Sequence, residues 1–172
     1  MSRRWRRSLL RTTQCGLDEM AVNRRILAVI LLSTQILVGC GERRESAFAS
    51  VKDARSSGDI ARGWVPSDLP DSFMDLRELH DLDTNEVWGT FRLPSSERAS
   101  AITLTRVEMS KVNGHSVRSP GVNWWPEILS GNLDGHVLED SGFEIYGSAA
   151  PVRFWIAINR TEGRGFFWSG SS

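Results

Sequence analysis

The sequence predicts an α+β fold: a small antiparallel sheet with one main helix packed on one face, closed by a C-terminal β-hairpin. Three observations predict it. Val87, Gly89, Phe91 and Leu93 alternate with Trp88, Thr90 and Arg92, the period of two that marks a strand. Val152, Phe154, Ile156 and Ile158 alternate in the same way with Arg153, Trp155, Ala157 and Asn159; after the turn Arg160-Thr161-Glu162-Gly163, Arg164–Trp168 returns as a partner strand. Between them, Ala99, Ile102, Thr103, Arg106, Val107 and Met109 give an imperfect helical stripe. It follows Pro94-Ser95-Ser96-Glu97, where a serine can cap backbone donors and an acid sits in the first turn.

Residues 1–39 read as a leader and lipoprotein signal peptide. Arg24 and Arg25 precede an apolar run, Ile26–Val38, of 13 residues broken only by Ser33, Thr34 and Gln35. That length suits a signal-peptide core and falls short of the roughly 20 residues that span a bilayer. The run ends in Leu37-Val38-Gly39-Cys40, the pattern read by bacterial lipoprotein processing: cleavage before Cys40 and a diacylglycerol on its thiol. Met20-Ala-Val-Asn-Arg-Arg is an ordinary short basic start, so translation is expected to begin at Met20, with a long basic leader from Met1 as the alternative. Gly41 follows the cysteine where an inner-membrane retention mark would be Asp. In a Gram-negative cell this implies, by resemblance to sorted lipoproteins, the periplasmic face of the outer membrane.

From Cys40 onward the chain has 133 residues, enough for one domain with one core. The whole chain is formally neutral. The part from Cys40 carries 2 Lys and 12 Arg against 9 Asp and 10 Glu, a net charge of −5. That balance argues against nucleic acid and against electrostatic attachment to anionic lipid. Membrane attachment is expected through the N-terminal lipid instead. Cys15 lies in the leader and Cys40 is the acylation site, so no disulfide is expected in the mature domain.

Residues 40–62 read as a lipidated N-terminus and tether, since Glu42, Arg43, Arg44 and Glu45 lead into small and polar residues, with at most a short helix over Ala47–Arg55. The globular domain is placed at 63–172, opening at Gly63-Trp64-Val65-Pro66, and is expected to fold without the tether. Pro66 and Pro70 bracket a turn. Met74–Leu82 and Val87–Leu93 read as two strands, with a helix the alternative for the first. Asn113-Gly114 stops the main helix; residues 114–135 are loop-rich, with a short helix possible up to Leu129, and Phe143, Ile145 and Tyr146 mark a further strand.

The string His80-Asp81-Leu82-Asp83-Thr84-Asn85-Glu86 gathers the candidate functional side chains: His80, Asp81, Asp83, Asn85 and Glu86. Asp81, Asp83 and Asn85 sit at positions one, three and five of an EF-hand-like loop. Glu86 stands where the glycine should be, and Arg92 where the bidentate glutamate should be, which rejects an EF-hand. Asp83 and Asn85 are instead expected to bond nearby backbone and brace the connection between two strands. His80, His115 and His136 lack zinc-site spacing, so no metal or cofactor is read. No nucleophile motif, oxyanion loop or phosphate cradle supplies a catalytic set. Trp124 and Trp125 precede Pro126 and would point to opposite sides of an extended segment, one buried and one available as a surface aromatic.

Gly63-Trp64-Val65-Pro66, Leu69-Pro70-Asp71-Ser72, His80-Asp81-Leu82-Asp83-Thr84-Asn85 and Phe154-Trp155-Ile156-Ala157-Ile158 resemble small uncharacterised bacterial lipoproteins of the YbbD head-domain type, over roughly Gly63–Trp168. The resemblance implies a compact domain on a lipid anchor and carries no activity. The expected function is a lipid-anchored envelope protein with a non-enzymatic binding domain for an envelope protein or glycan. The alternatives are a hydrolase or metal-dependent enzyme using His80–Glu86, and an envelope immunity or inhibitor protein.

Overall fold

The computed structural model describes residues 42–97, 104–148 and 153–170. Its main element is a seven-stranded antiparallel sheet built from β1 (Arg43–Ser50), β2 (Met74–Asp81), β3 (Glu86–Arg92), β4 (Thr105–Arg106), β7 (Phe143–Gly147), β8 (Trp155–Asn159) and β9 (Arg164–Ser169). The spatial order is β1-β2-β3-β9-β8-β7-β4. β5 (Ser116–Val117) and β6 (Gly131–Asn132) form a separate two-stranded sheet. Two short helices complete it, α1 (Val51–Ser57) and α2 (Gly135–Asp140).

The fold is therefore mostly β, and the α+β expectation is corrected. The main helix is absent from the described residues. Ser95–Glu97 is one 3₁₀ turn, Thr105–Arg106 is β4, and Met109–Lys111 is another 3₁₀ turn. Ala99, Ile102 and Thr103 lie outside the described residues. The β-branched Thr105 and Val107 favour extended backbone, and β4 pairs with β7 at the far edge of the sheet. The C-terminal hairpin is present as β8 and β9, with Trp155 opposite Trp168 and Asn159 opposite Arg164.

The segment expected to be a tether is also corrected, because residues 43–57 belong to the domain. β1 pairs along its length with β2, from Arg43 opposite Asp81 to Ser50 opposite Met74. Ser50 caps α1 by accepting from the Asp53 amide at 3.2 Å. Gly58, in the left-handed conformation at φ 89°, ends the helix by donating to the Ala54 and Arg55 carbonyls. Val51 and Ala54 are fully buried. Among the described residues, both hydrophobic cores lie between Phe48 and Trp168, within the compact unit that begins at Gly41.

Both faces of the sheet are covered. On one, Val51, Ala54, Val65, Leu69 and Phe73 pack on Leu76, Phe91, Ile156, Ile158 and Phe167. On the other, Trp125, Leu129, Leu133 and Leu138 pack on Leu79, Trp88, Ile145, Phe166 and Trp168. Alternation in β3 and β8 thus separates two cores, not core from solvent.

β3 and β9 fit together through reciprocal glycine–phenylalanine pairs. Gly89 lies opposite Phe167, and Gly165 opposite Phe91. A Cβ on Gly89 would stand 2.0 Å from the Phe167 ring, and one on Gly165 2.2 Å from the Phe91 ring. Both rings are wholly buried and cannot swing clear. Gly89→Ala and Gly165→Ala are each expected to cost about 1–3 kcal/mol or more by overpacking, read as a lower midpoint in urea unfolding. Wild-type midpoints in both variants would show that the rings move freely.

Candidate functional site

β2 carries His80 and Asp81 on opposite faces of the sheet, so the His80–Glu86 string does not converge. Asp81, with Leu79, faces the second core. Its Oδ1 accepts from the Asp83 amide at 3.1 Å and the Thr84 amide at 3.2 Å, and its Oδ2 from Arg43 Nε at 3.0 Å and Arg118 Nη2 at 3.4 Å. Burial pushes the Asp81 carboxyl up, but Arg43, the Thr84 amide, Arg118 and the Asp83 amide together hold it below its ordinary value. Glu86 accepts from Thr84 Oγ1 at 2.9 Å and from Arg118. Arg118 lies over Trp88, whose Nε1 donates to the Arg118 carbonyl at 2.9 Å.

The brace of this turn is therefore Asp81, not Asp83. Asp83 is exposed, and its carboxylate has no hydrogen-bond partner among the described residues. Asn85 takes the left-handed conformation at φ 55°, which asparagine tolerates. With both Asp81 oxygens occupied by amides and guanidinium groups, the cluster is a knot of ion pairs. Among the described residues, no three His, Cys, Asp or Glu side chains are placed to hold a metal ion.

His80 lies on the other face, 2% exposed. Its ring stacks on Trp64 at 3.9 Å and 15°. Its Nδ1 is 2.6 Å from Oε1 of Glu78, itself wholly buried. Among the described residues, Glu78 Oε2 and His80 Nε2 have no hydrogen-bond partner. Asp59 sits nearby, held by Ser57 and by Arg62 at 3.3 Å, with Arg62 over the Trp64 ring. Burial, then the Asp59 charge, then that of Glu45 push the Glu78 carboxyl up to about 8, against the Ser46 hydroxyl. Burial and Arg44 hold His80 below its ordinary value, against Asp59. Glu78 is not among the residues that the sequence singles out, although Glu78-Leu79-His80 on a strand places the outer two on one face.

Trp124 and Trp125 are both buried, which corrects the expected surface aromatic. The chain at 123–125 turns rather than extends, so the two indoles enter the same core. They meet edge to face at 6.3 Å. Trp124 Nε1 donates to Glu45 Oε1 at 2.9 Å, and Trp125 Nε1 to Ser130 Oγ at 3.2 Å.

Where the second core stops, the same face of the sheet opens into a trough of about 960 Å³, absent from the expected site. Ala47, Ala49, Arg77, Thr90, Arg92 and Arg164 line it from four strands, with Asp75, Asn123, Trp124 and Glu162 at its walls. Arg92 and Arg164 are direct cross-strand partners, an arrangement of like charges that costs stability. Arg92 is tied to Asp75 at 3.3 Å. Asp75 sits at the irregularity of β2 with φ 50°. Bulges and left-handed non-glycine residues concentrate at binding sites, where they re-aim side chains. Arg77 and Arg164 form no ion pair among the described residues.

Residues 42–92 match the family model of the YbbD head domain. The resemblance read from the sequence holds there, although the match begins earlier and ends earlier than expected. It takes in β1, α1, β2 and β3, and so includes the segment first read as a tether. No curated protein matches the chain, and no solved structure does.

Proposed function

We propose that this chain is a lipid-anchored protein of the bacterial envelope whose domain works by binding another envelope component. The Leu37–Cys40 pattern supports the anchor, and the YbbD head-domain match is compatible with such a protein. The observation that carries binding is the trough: three arginines on one open sheet face, two of them without a carboxylate partner among the described residues. The enzyme alternative has less support, because His80 is sealed under Trp64 on the face away from Asp81.

The anchor is tested by metabolic labelling with palmitate and membrane fractionation of wild type and Cys40→Ala. Wild type is expected to take up label and sediment with membranes. Cys40→Ala is expected to lose the label and to remain unprocessed or leave its normal fraction, because no thiol is available for diacylglycerol transfer. An unlabelled wild type, or a variant cut at the same site and still membrane-bound, would refute the anchor.

A further inference from the structure

The geometry points to the trough across β1, β2, β3 and β9 as the docking site for an extended, acidic segment of a partner protein, seated over Arg77, Arg92 and Arg164. The inference rests on the binding reading above and adds the chemistry of the partner.

Four observations carry it. Arg92 and Arg164 stand side by side in direct register, a repulsion that an incoming carboxylate relieves. Arg77 and Arg164 have no carboxylate in ion-pair range among the described residues, and although Arg164 lies over the Phe166 ring at 5.5 Å, a guanidinium stacked on a ring keeps its N–H edge for bidentate pairing. The trough is open, and Ala47 and Ala49 leave the β1 side low enough for a polypeptide to lie across the strands. Finally, Asp75 and Glu162 sit among the arginines. Mixed charge around arginine is the lining of a protein interface, where it sets register and selects the partner. A phosphate cradle would gather backbone amides. A glycan platform would present an open aromatic face, whereas Trp124 is buried and its indole N–H is already used.

The test is titration calorimetry on the chain from Gly41, wild type and Arg77→Glu/Arg164→Glu. Four probes are used: a capped octapeptide alternating Glu and Thr, its Gln-for-Glu counterpart, inorganic phosphate and an oligouronate. The acidic peptide is expected to bind wild type, at least ten-fold tighter than the Gln peptide, and to weaken as salt is raised. The double reversal is expected to weaken it at least ten-fold. The Gln peptide and the salt series on wild type decide the matter even if the double variant does not fold. Absence of acidic-peptide binding, equal affinity for the Glu and Gln peptides, or unchanged affinity in a folded double variant would overturn the proposal. So would tighter binding of phosphate or oligouronate than of the peptide. These measurements are independent of the acyl chain, so a failed trough leaves the anchor result standing, and a failed anchor leaves the trough result standing.

Discussion

A chain beginning at Gly63 is expected to show no cooperative unfolding transition, whereas the chain beginning at Gly41 melts cooperatively. The shorter chain loses β1 and α1 together. Val51 and Ala54, both wholly buried, and Phe48, packed against the same core, leave Phe73 and Leu76 uncovered. Burying a valine or phenylalanine side chain contributes about 1.5–3 kcal/mol each, and the β1–β2 ladder goes as well. Asp81 loses Arg43, and Glu78 loses the strand that shields it from water. A loss of several kcal/mol is a large part of the roughly 5–15 kcal/mol that holds a domain together. Circular dichroism during a thermal scan of both chains is the measurement. Matching melting temperatures would return residues 43–57 to the status of a tether.

The buried Glu78–His80 pair is expected to give the domain a stability maximum on the acid side of neutrality, and Glu78→Gln to move it upward. In the unfolded chain Glu78 titrates near 4.5 and His80 near 6.5. In the folded chain Glu78 keeps its proton up to about 8, while His80 resists gaining one. Below 6.5 His80 takes up a proton in the unfolded chain before it does so in the folded one, which offsets the opposite pull of Glu78 and flattens the slope, wherever between Oε1 and Nδ1 the shared proton sits. From 6.5 to about 8 the folded pair holds one proton and the unfolded pair none, so stability falls as pH rises, by about 2 kcal/mol. Below 4.5 Glu78 is protonated in both states and only the lowered His80 contributes, so stability falls with pH until His80 is protonated in the fold as well.

The amide of Glu78→Gln cannot ionise. The drop between 6.5 and 8 should vanish, leaving the variant more stable than wild type at pH 8. Below 6.5 the variant should lose stability, because His80 protonates more readily in the unfolded chain than in the folded one. Melting temperatures from pH 4 to 9 measure both curves. A wild-type curve that stays level from 6.5 to 8, or a variant that keeps the wild-type slope, would mean the carboxyl is already ionised in the fold.

The parts of this fold that were legible in the sequence are those whose signal is local. Trp88, Thr90 and Arg92 against Val87, Gly89 and Phe91 announce β3, and the turn at 160–163 announces the β8–β9 hairpin. β1 escaped notice because Arg-Arg-Glu-Ser-Ala-Phe-Ala-Ser has a single bulky apolar residue; its pairing with β2 makes it a strand, and that partner lies far along the chain. Over the described part, 104–109, the helical period is the wrong one, Thr105 and Val107 being as compatible with the extended backbone at β4. Within the turn, the choice between Asp81 and Asp83 as brace depends on which carboxylate faces the amides, and on Arg43 and Arg118 arriving from distant segments. The trough was least legible, because Arg92 and Arg164 become neighbours only through the β3–β9 register.

That same register sets a clock on synthesis. β3, complete by Arg92, finds its central partner only in β9, which ends at Ser169. At roughly 5–20 residues per second, several seconds pass while β3 has only β2 beside it and Phe91 and Trp88 have no roof. The growing chain holds a short meander but no closed core until β9 emerges, and long-range pairing of this kind is slow to form. A polypeptide that cannot finish folding while it is being made stays extended and pliable, as the export that goes with the proposed lipid anchor would require. It then locks in one late step, when the last strand slides between β3 and β8.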